Sequence, residues 1–246
     1  MNLYGLIGYP LGHSFSKKYF TEKFEKGNFQ ECRFNLYPLE NISGFPSLLQ
    51  QEKGLLGLAV TIPYKESIIP YLSYLDDRAK EIGAVNCIKI EGNMLTGYNT
   101  DSIGFRNSFL PLLKHNHTKA LVLGSGGASK AVQYELARAG IPYLVGTRKV
   151  QQQCGYIEYG DIDEIIVREY PIIINTTPVG MSPHVDAQPD FPYHLLTKEN
   201  LLYDLIYTPE QTNFLKLGLQ HGAIVKNGYE MLVLQAEENW RVWTET

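Results

Sequence analysis

The sequence is short of whatever would tie it to a metal, a membrane or a nucleic acid. It has three cysteines, Cys32, Cys87 and Cys154, an odd number without a C-x-x-C pair. That argues against a disulfide framework and a structural zinc site, and leaves reduced, mostly packed thiols as the expectation. No cluster of histidine, cysteine and carboxylate has ligand spacing, so no metal is expected. No apolar run approaches the roughly 20 residues that cross a bilayer, and the first five residues lack the basic start and apolar core of a signal peptide. A cytoplasmic protein without membrane contact is the expectation. Charge of one sign is missing too: 26 acidic residues stand against 22 basic ones, net −4, with no block of either. The basic stripe that nucleic acid demands is absent, and no such partner is expected. Internal repeats and low-complexity tracts are lacking, apart from the short Gln151-Gln152-Gln153 run.

What is present is an ordinary globular composition, 44% hydrophobic over 246 residues, enough for one large domain or two modest ones. Short apolar runs rich in β-branched and aromatic residues predict strands near residues 3–8, 32–38, 55–61 and 84–90, with helices between them. Such alternation indicates an α/β fold with a mostly parallel sheet. The pattern restarts with Lys119-Ala120-Leu121-Val122-Leu123-Gly124 and continues through apolar runs at 143–145, 172–175, 201–204 and 223–226, which fits a second α/β unit. The join lies at a helix over 102–113, where Pro111 and the polar stretch 114–118 mark an end and a linker. A last helix, about 229–243, carries too many apolar residues for a free tail and is expected to pack back.

After the strand-like run at 119–123 comes Gly124-Ser125-Gly126-Gly127-Ala128-Ser129, opening a helix that runs to Gly140. Glycines there permit a tight turn and let backbone approach a pyrophosphate, whose charge suits a helix start. Ser129 occupies the third glycine position, so the fingerprint is not strict, and a purely structural turn is the competing reading. The next strand ends in Val145-Gly146-Thr147-Arg148-Lys149, where an NAD site would place an acidic residue for the ribose 2′-hydroxyl. Arg148 instead offers charge-assisted contacts to a 2′-phosphate, which predicts NADP(H); a solvated Arg-Lys pair is the bland alternative.

Four further segments put polar residues at strand ends. Ser14 and Ser16 stand at a helix start, suited either to a carboxylate or to plain capping. Lys65 lies beyond the strand ending at Thr61, with Pro63 suiting a helix start; a lone lysine is usually only a surface charge. Asn86 places an amide in an otherwise apolar run, and a buried amide must be hydrogen-bonded. In Gly97-Tyr98-Asn99-Thr100-Asp101 the last two residues suit a helix cap.

The ordered segments GYPLGHSFS, AVTIPYK, GAVNCI, GYNTD, GSGGASKA, NTTPVGM, YDLIYTP and NGYEMLVLQA, spread over residues 8–236, resemble the shikimate dehydrogenase family. The resemblance implies a substrate domain, residues 1–103 joined by the helix 228–246, and a Rossmann-like NADP domain, residues 104–227, flanking a cleft. It implies that Ser14 and Ser16 hold the shikimate carboxylate, that Thr61, Lys65, Asn86, Asp101 and Gln235 surround the ring hydroxyls, and that Tyr207 lies close to the substrate. Met231 and Gln235 share one helix face. On the cofactor side it implies Gly124, Gly126, Gly127 and Ala128 at the pyrophosphate, Thr147 and Arg148 at the adenosine 2′-phosphate, and Gly228 in the nicotinamide loop. His13 is expected to fix a loop and not to move protons.

The implied activity is reversible NADPH-dependent reduction of 3-dehydroshikimate to shikimate, a step of chorismate and aromatic amino acid biosynthesis. Lys65 would be the proton donor and Asp101 its orienting partner; a carboxylate beside the ammonium favours donation and opposes service as a base. The sequence departs from the family at Lys17, where proline is usual, and after Arg148, where only Lys149 remains of a frequent second arginine. The stretch 150–170 is short for a full helix and strand. Rival readings are a quinate/shikimate dehydrogenase using NAD or both cofactors, a non-catalytic NADP-binding regulator on the same fold, and a binding module for an acidic metabolite. Monomer and homodimer are equally open.

Overall fold

The computed structural model describes residues 1–12, 14–148 and 154–245. His13, Lys149 and the Gln151-Gln152-Gln153 run, on which three of the readings above fall, lie outside the described residues. The chain divides into two compact units, Met1–Thr100 with Ala236–Thr246, and Asp101–Gln235. Among the described residues no helix is long and apolar enough to cross a membrane.

The first unit contains β1 (Asn2–Gly8), α1 (Phe15–Lys26), β2 (Cys32–Pro38), α2 (Phe45–Gln51), β3 (Leu55–Val60), β4 (Tyr74–Leu75), α3 (Asp77–Ile82), β5 (Cys87–Glu91) and β6 (Met94–Tyr98). Its sheet runs β2-β1-β3-β5-β6-β4. The first three strands are parallel, while β5 is antiparallel to both β3 and β6. Sheets of this kind are covered on both faces, so their strands read as nearly continuous apolar runs. Along β3, Leu58 and Val60 enter one core with Ile7 and Ile88, and Ala59 enters the other with Tyr4, Phe20 and Phe34. The chain's last residues complete the second core. Trp243 lies against Tyr4 at 5.1 Å between ring centroids and donates its indole N–H to the Ile88 carbonyl at 3.0 Å. Gly57 is the residue that admits this ring, because a Cβ there would lie 2.3 Å from it.

The second unit contains α4 (Asp101–Phe109), β7 (Ala120–Leu123), α5 (Gly127–Arg138), β8 (Tyr143–Thr147), β9 (Tyr156–Glu158), α6 (Glu164–Glu169), β10 (Ile172–Asn175), β11 (Leu201–Asp204), α7 (Asn213–Gln220) and β12 (Ile224–Lys226). The last helix, α8 (Tyr229–Thr244), begins here, and its residues from Ala236 belong to the first unit. The sheet order is β12-β11-β10-β7-β8-β9, every pairing parallel. Period-two alternation splits the strands between two cores, Ala120, Val122, Ile172 and Ile174 on one face and Leu121, Leu123 and Ile173 on the other. From β7 the chain moves outward through β8 and β9, then returns to the opposite side of β7 as β10. The carboxyl ends of β7 and β10 therefore form the switch point at which open α/β sheets bind ligands.

Some local expectations change. No helix starts at Pro63, which follows a cis peptide bond; residues 61–68 form turns instead. The Lys65 carbonyl accepts from the Val85 N–H at 2.7 Å, so it is not available for a helical bond. The strand expected from residue 84 begins at Cys87, and it continues into β6 through a two-residue Gly92-Asn93 turn, with Gly92 at φ 63°. The α4 helix stops at Phe109, and a 3-10 turn over Leu110–Leu112 follows, holding Pro111. The stretch 150–170 contains the short β9 and the six-residue α6.

Candidate active site

In the first unit, the carboxyl ends of β1 and β3 are bound into one rim. Thr61 donates its N–H to Ile7 at 2.9 Å, and Tyr9 donates its own to Ile62 at 3.0 Å. Gly8 makes that closeness possible, since a Cβ there would lie 2.4 Å from the Thr61 methyl. From the β1 side the chain reaches Ser14, the N-cap of α1, whose hydroxyl accepts from the Lys17 N–H at 3.4 Å. Capping is thus part of what Ser14 does. Ser16 stands in the same first turn. From the β3 side come Thr61 and the half-buried Lys65. The Lys65–Val85 backbone bond sets Lys65 beside the segment carrying Asn86, and so three of the four polar segments meet at this rim.

Asn86 is buried and fully engaged with the residue that precedes α4. Its Oδ1 accepts the Thr100 N–H at 2.6 Å, and its Nδ2 donates to Thr100 Oγ1 at 2.9 Å. Thr100 Oγ1 in turn donates to Asn239 Oδ1 on α8 at 2.6 Å. Among the described residues no buried polar side-chain atom lacks a partner, as burial of polar groups requires. Asn99 also belongs to this rim, its Nδ2 donating to the Ala84 carbonyl at 2.9 Å. The sequence reading missed Asn99 and Asn239, although an amide amid the apolar residues of a terminal helix was a signal.

In the second unit, Asp101 is buried at the first position of α4. One turn on, Gly104 lets α8 approach, because a Cβ there would lie 2.5 Å from the Met231 carbonyl and 3.1 Å from the Gln235 Cβ. Asp101 and Gly104 share a helix face, so Asp101 lies on the side of α4 that meets α8. Gln235 is buried and donates from Nε2 to Leu232 at 2.9 Å. Tyr207 is partly buried, and burial raises its phenol above the usual tyrosine range. Gly228 donates its N–H to Ile206 at 3.0 Å, and a Cβ there would lie 2.1 Å from the Leu205 carbonyl oxygen. Tyr207 and Gly228 thus stand on adjoining backbone.

The glycine turn after β7 suits a pyrophosphate. Gly124 adopts φ 106°, a conformation that favours glycine, and a Cβ would lie 2.7 Å from Thr176 Oγ1. Whereas α1, α3, α6 and α7 start with side-chain caps, α5 starts at Gly126 with none. Its first-turn N–H groups and dipole are those of an anion cradle, and a Cβ at Gly126 would meet open space. Ser129 explains the departure from the strict fingerprint. It is wholly buried and folds back to donate to the Gly124 carbonyl at 2.6 Å, tying the turn closed while accepting from Gln133 Nε2 at 2.9 Å. At the end of β8, Thr147 is buried and Arg148 exposed. The Arg148 charge reaches the Tyr159 phenol, where it partly offsets the rise that burial imposes. This donor set fits NADP(H): backbone N–H groups for the bridging phosphates and a guanidinium for the 2′-phosphate.

Across the switch point, a buried carboxylate organises the ends of β10 and β11. Asp204 Oδ1 accepts from Asn175 Nδ2 and from the Ile206 N–H, both at 3.0 Å, and Oδ2 accepts from Thr212 Oγ1 at 2.6 Å. Asn175 Oδ1 holds the Thr177 N–H at 3.0 Å and its hydroxyl at 2.6 Å. Burial lifts the Asp204 carboxyl from 3.8 to about 6, against the lowering by these hydrogen bonds. The folded state therefore keeps this proton where the unfolded chain has released it. Stability contributed by Asp204 is fullest below about pH 3.8 and is lost as pH rises towards 6. We expect the difference in urea midpoint between wild type and Asp204→Asn to shift in favour of the variant across that window; a difference constant with pH would show that Asp204 titrates normally.

Taken together, a topological switch point, a glycine turn at an uncapped helix and a basic strand end define a dinucleotide-binding α/β fold. A model of the shikimate dehydrogenase substrate binding domain matches residues 6–88. The NADP(+) shikimate dehydrogenase of Clostridium beijerinckii is 40% identical, the match covering 100% of this chain and 93% of that protein. That of Caldanaerobacter subterraneus is 38% identical, over 98% of this chain and 91% of its own. Among solved structures, the shikimate dehydrogenase of Aquifex aeolicus superimposes with a TM-score of 0.87 at 32% identity, covering 100% of this chain and 93% of its own. That of Thermus thermophilus, in complex with NADP(H) and shikimate, gives 0.88 at 28% identity, covering 100% and 94%. The chain belongs to the shikimate dehydrogenase family.

Proposed function

We propose that the protein catalyses the reversible NADPH-dependent reduction of 3-dehydroshikimate to shikimate, on the route to chorismate and the aromatic amino acids. The observation that carries this reading is the glycine turn at the β7/β10 switch point with Arg148 at the next strand end, in a chain that matches NADP(+) shikimate dehydrogenases along nearly its whole length. The domain assignment is part of the proposal: residues 1–103 with 228–246 bind substrate, and residues 104–227 bind NADP(H). A cytoplasmic setting fits the three free thiols.

NADPH, when bound, supplies the hydride; the protein supplies the proton and the orientation. Lys65 gives its proton to the former ketone oxygen and takes one back in alcohol oxidation, with Asp101 orienting the ammonium and binding a ring hydroxyl. Ser14 and Ser16 hold the carboxylate, Thr61, Asn86 and Gln235 surround the ring, and Tyr207 lies near it. Gly124, Gly126, Gly127 and Ala128 receive the pyrophosphate, Thr147 and Arg148 the 2′-phosphate, and Gly228 borders the nicotinamide.

The test is one spectrophotometric assay crossing shikimate and quinate with NADP+ and NAD+. Highest kcat/KM for shikimate with NADP+ is expected. Comparable values with NAD+ would overturn the cofactor assignment, preferred quinate would move the substrate, and binding without turnover would point to a regulator or a metabolite-binding module. Ser14→Ala should raise the shikimate KM about tenfold, the lower end of what one hydrogen bond to a charged group is worth, as suits a partly exposed site. An unchanged KM would remove Ser14 from carboxylate recognition. The same change removes the α1 cap, so a loss of about 1 kcal/mol in unfolding free energy accompanies it.

A further inference from the structure

The proposed site residues do not account for Asn239. It lies on α8, is 1% exposed, and uses its Oδ1 to take the Thr100 hydroxyl proton. The directions of the neighbouring bonds follow from elementary chemistry. A backbone N–H can only donate, so the Thr100 N–H, 2.6 Å away, requires the oxygen end of the Asn86 carboxamide. The nitrogen end then faces Thr100 Oγ1 at 2.9 Å and must donate to it. A hydroxyl has one proton. With Oγ1 accepting from Asn86, that proton must go to another acceptor, and Asn239 Oδ1 stands at 2.6 Å. The alternative acceptor, Asn86 Oδ1, is farther from Oγ1, at 3.2 Å. All three residues belong to one compact unit, and these directions let the Thr100 N–H and hydroxyl each donate once.

We propose that Asn239 is a positioning residue for substrate recognition: by accepting the Thr100 hydroxyl proton it keeps a Thr100 Oγ1 lone pair turned to Asn86 Nδ2, and so holds the plane in which the Asn86 carboxamide meets a substrate hydroxyl. This rests on the placement of Asn86 against the ring proposed above. Without the Asn239 oxygen, the Thr100 hydroxyl turns its proton towards Asn86 Oδ1 and its lone pairs away from Nδ2, so the amide keeps the bond from the Thr100 N–H but loses the second of the two bonds that hold its plane. A buried amide whose plane is loosely held binds a given hydroxyl more weakly than one held in place.

The experiment is steady-state kinetics on the full chain with shikimate and NADP+ varied separately, for Asn239→Leu, Thr100→Val, Thr100→Ser and Asn86→Ala. Asn239→Leu and Thr100→Val should each raise the shikimate KM about five- to tenfold, the worth of one buried hydrogen bond, and leave the NADP+ KM unchanged. Thr100→Ser, which keeps the hydroxyl, should stay near wild type. A purely structural role predicts instead that thermal stability falls with no selective rise for shikimate. An unchanged shikimate KM in Asn239→Leu, a parallel rise in both KM values, or a Thr100→Ser as impaired as Thr100→Val would overturn the proposal. Should Asn239→Leu fail to fold, the Thr100 pair decides, since valine replaces threonine at nearly equal volume. Asn86→Ala separates the two layers. If it leaves the shikimate KM unchanged, the placement of Asn86 falls and the inference with it; if it raises that KM while Asn239→Leu does not, only the inference falls.

Discussion

Lys65→Ala is expected to lower kcat by about 10²–10⁴-fold, the usual contribution of a general acid or base, with a smaller change in the KM for shikimate. The argument is chemical: hydride arrival at a ketone carbon leaves an alkoxide that must be protonated, and the cofactor carries no proton for it. Lys65 stands just past the carboxyl end of β3, half-buried, with its backbone held by Val85 beside the segment of Asn86. Its position is therefore set by a long-range backbone bond and not by a free loop, which is what a group that must meet a reacting atom needs. Single-turnover reduction of 3-dehydroshikimate is the direct measurement, because it isolates chemistry from product release. A variant that retains near wild-type turnover would remove Lys65 from proton transfer, and a rise in KM with kcat intact would make it a binding residue only.

Arg148→Ala should cut kcat/KM for NADP+ by about tenfold and leave the NAD+ value unchanged. A charge-assisted contact to phosphate is worth about 1.5–3 kcal/mol; because Arg148 is exposed, solvent screening places the effect at the lower end of that range. The same reasoning makes NADP+ preference in the wild type weaken as ionic strength rises, while catalysis with NAD+ stays flat. Equal losses with both dinucleotides would mean that Arg148 supports the fold of the strand end and does not read the 2′-phosphate.

The residues legible in the sequence were those whose chemistry is local. The strand-glycine-helix turn at 119–138 and the basic residue ending β8 each lie within one short segment, so periodicity and residue type were enough. The hairpin of β5 and β6 is also written locally, in the Gly92-Asn93 pair between apolar runs, and is the antiparallel departure from an otherwise mostly parallel expectation. Pro63 misled because the residues after it are held by Val85, twenty positions further along, and no local pattern announces such a partner. Ser129 read as a defect in the glycine fingerprint; in the structure it is a small hydroxyl that closes the turn onto Gly124.

The sequence by itself determined the kind of sheet, the glycine turn into a helix and the sign of charge at the strand end, because backbone conformation, glycine freedom and side-chain charge are properties of neighbouring residues. Only the tertiary structure decided that the Asp204 carboxylate ties β10 to the loop after β11, and that the Thr100 hydroxyl stands between Asn239 and Asn86. These arrangements depend on satisfying every donor and acceptor removed from water. Their partners stand up to 139 positions apart along the chain, and only the completed packing of helices on sheets brings them within bonding distance.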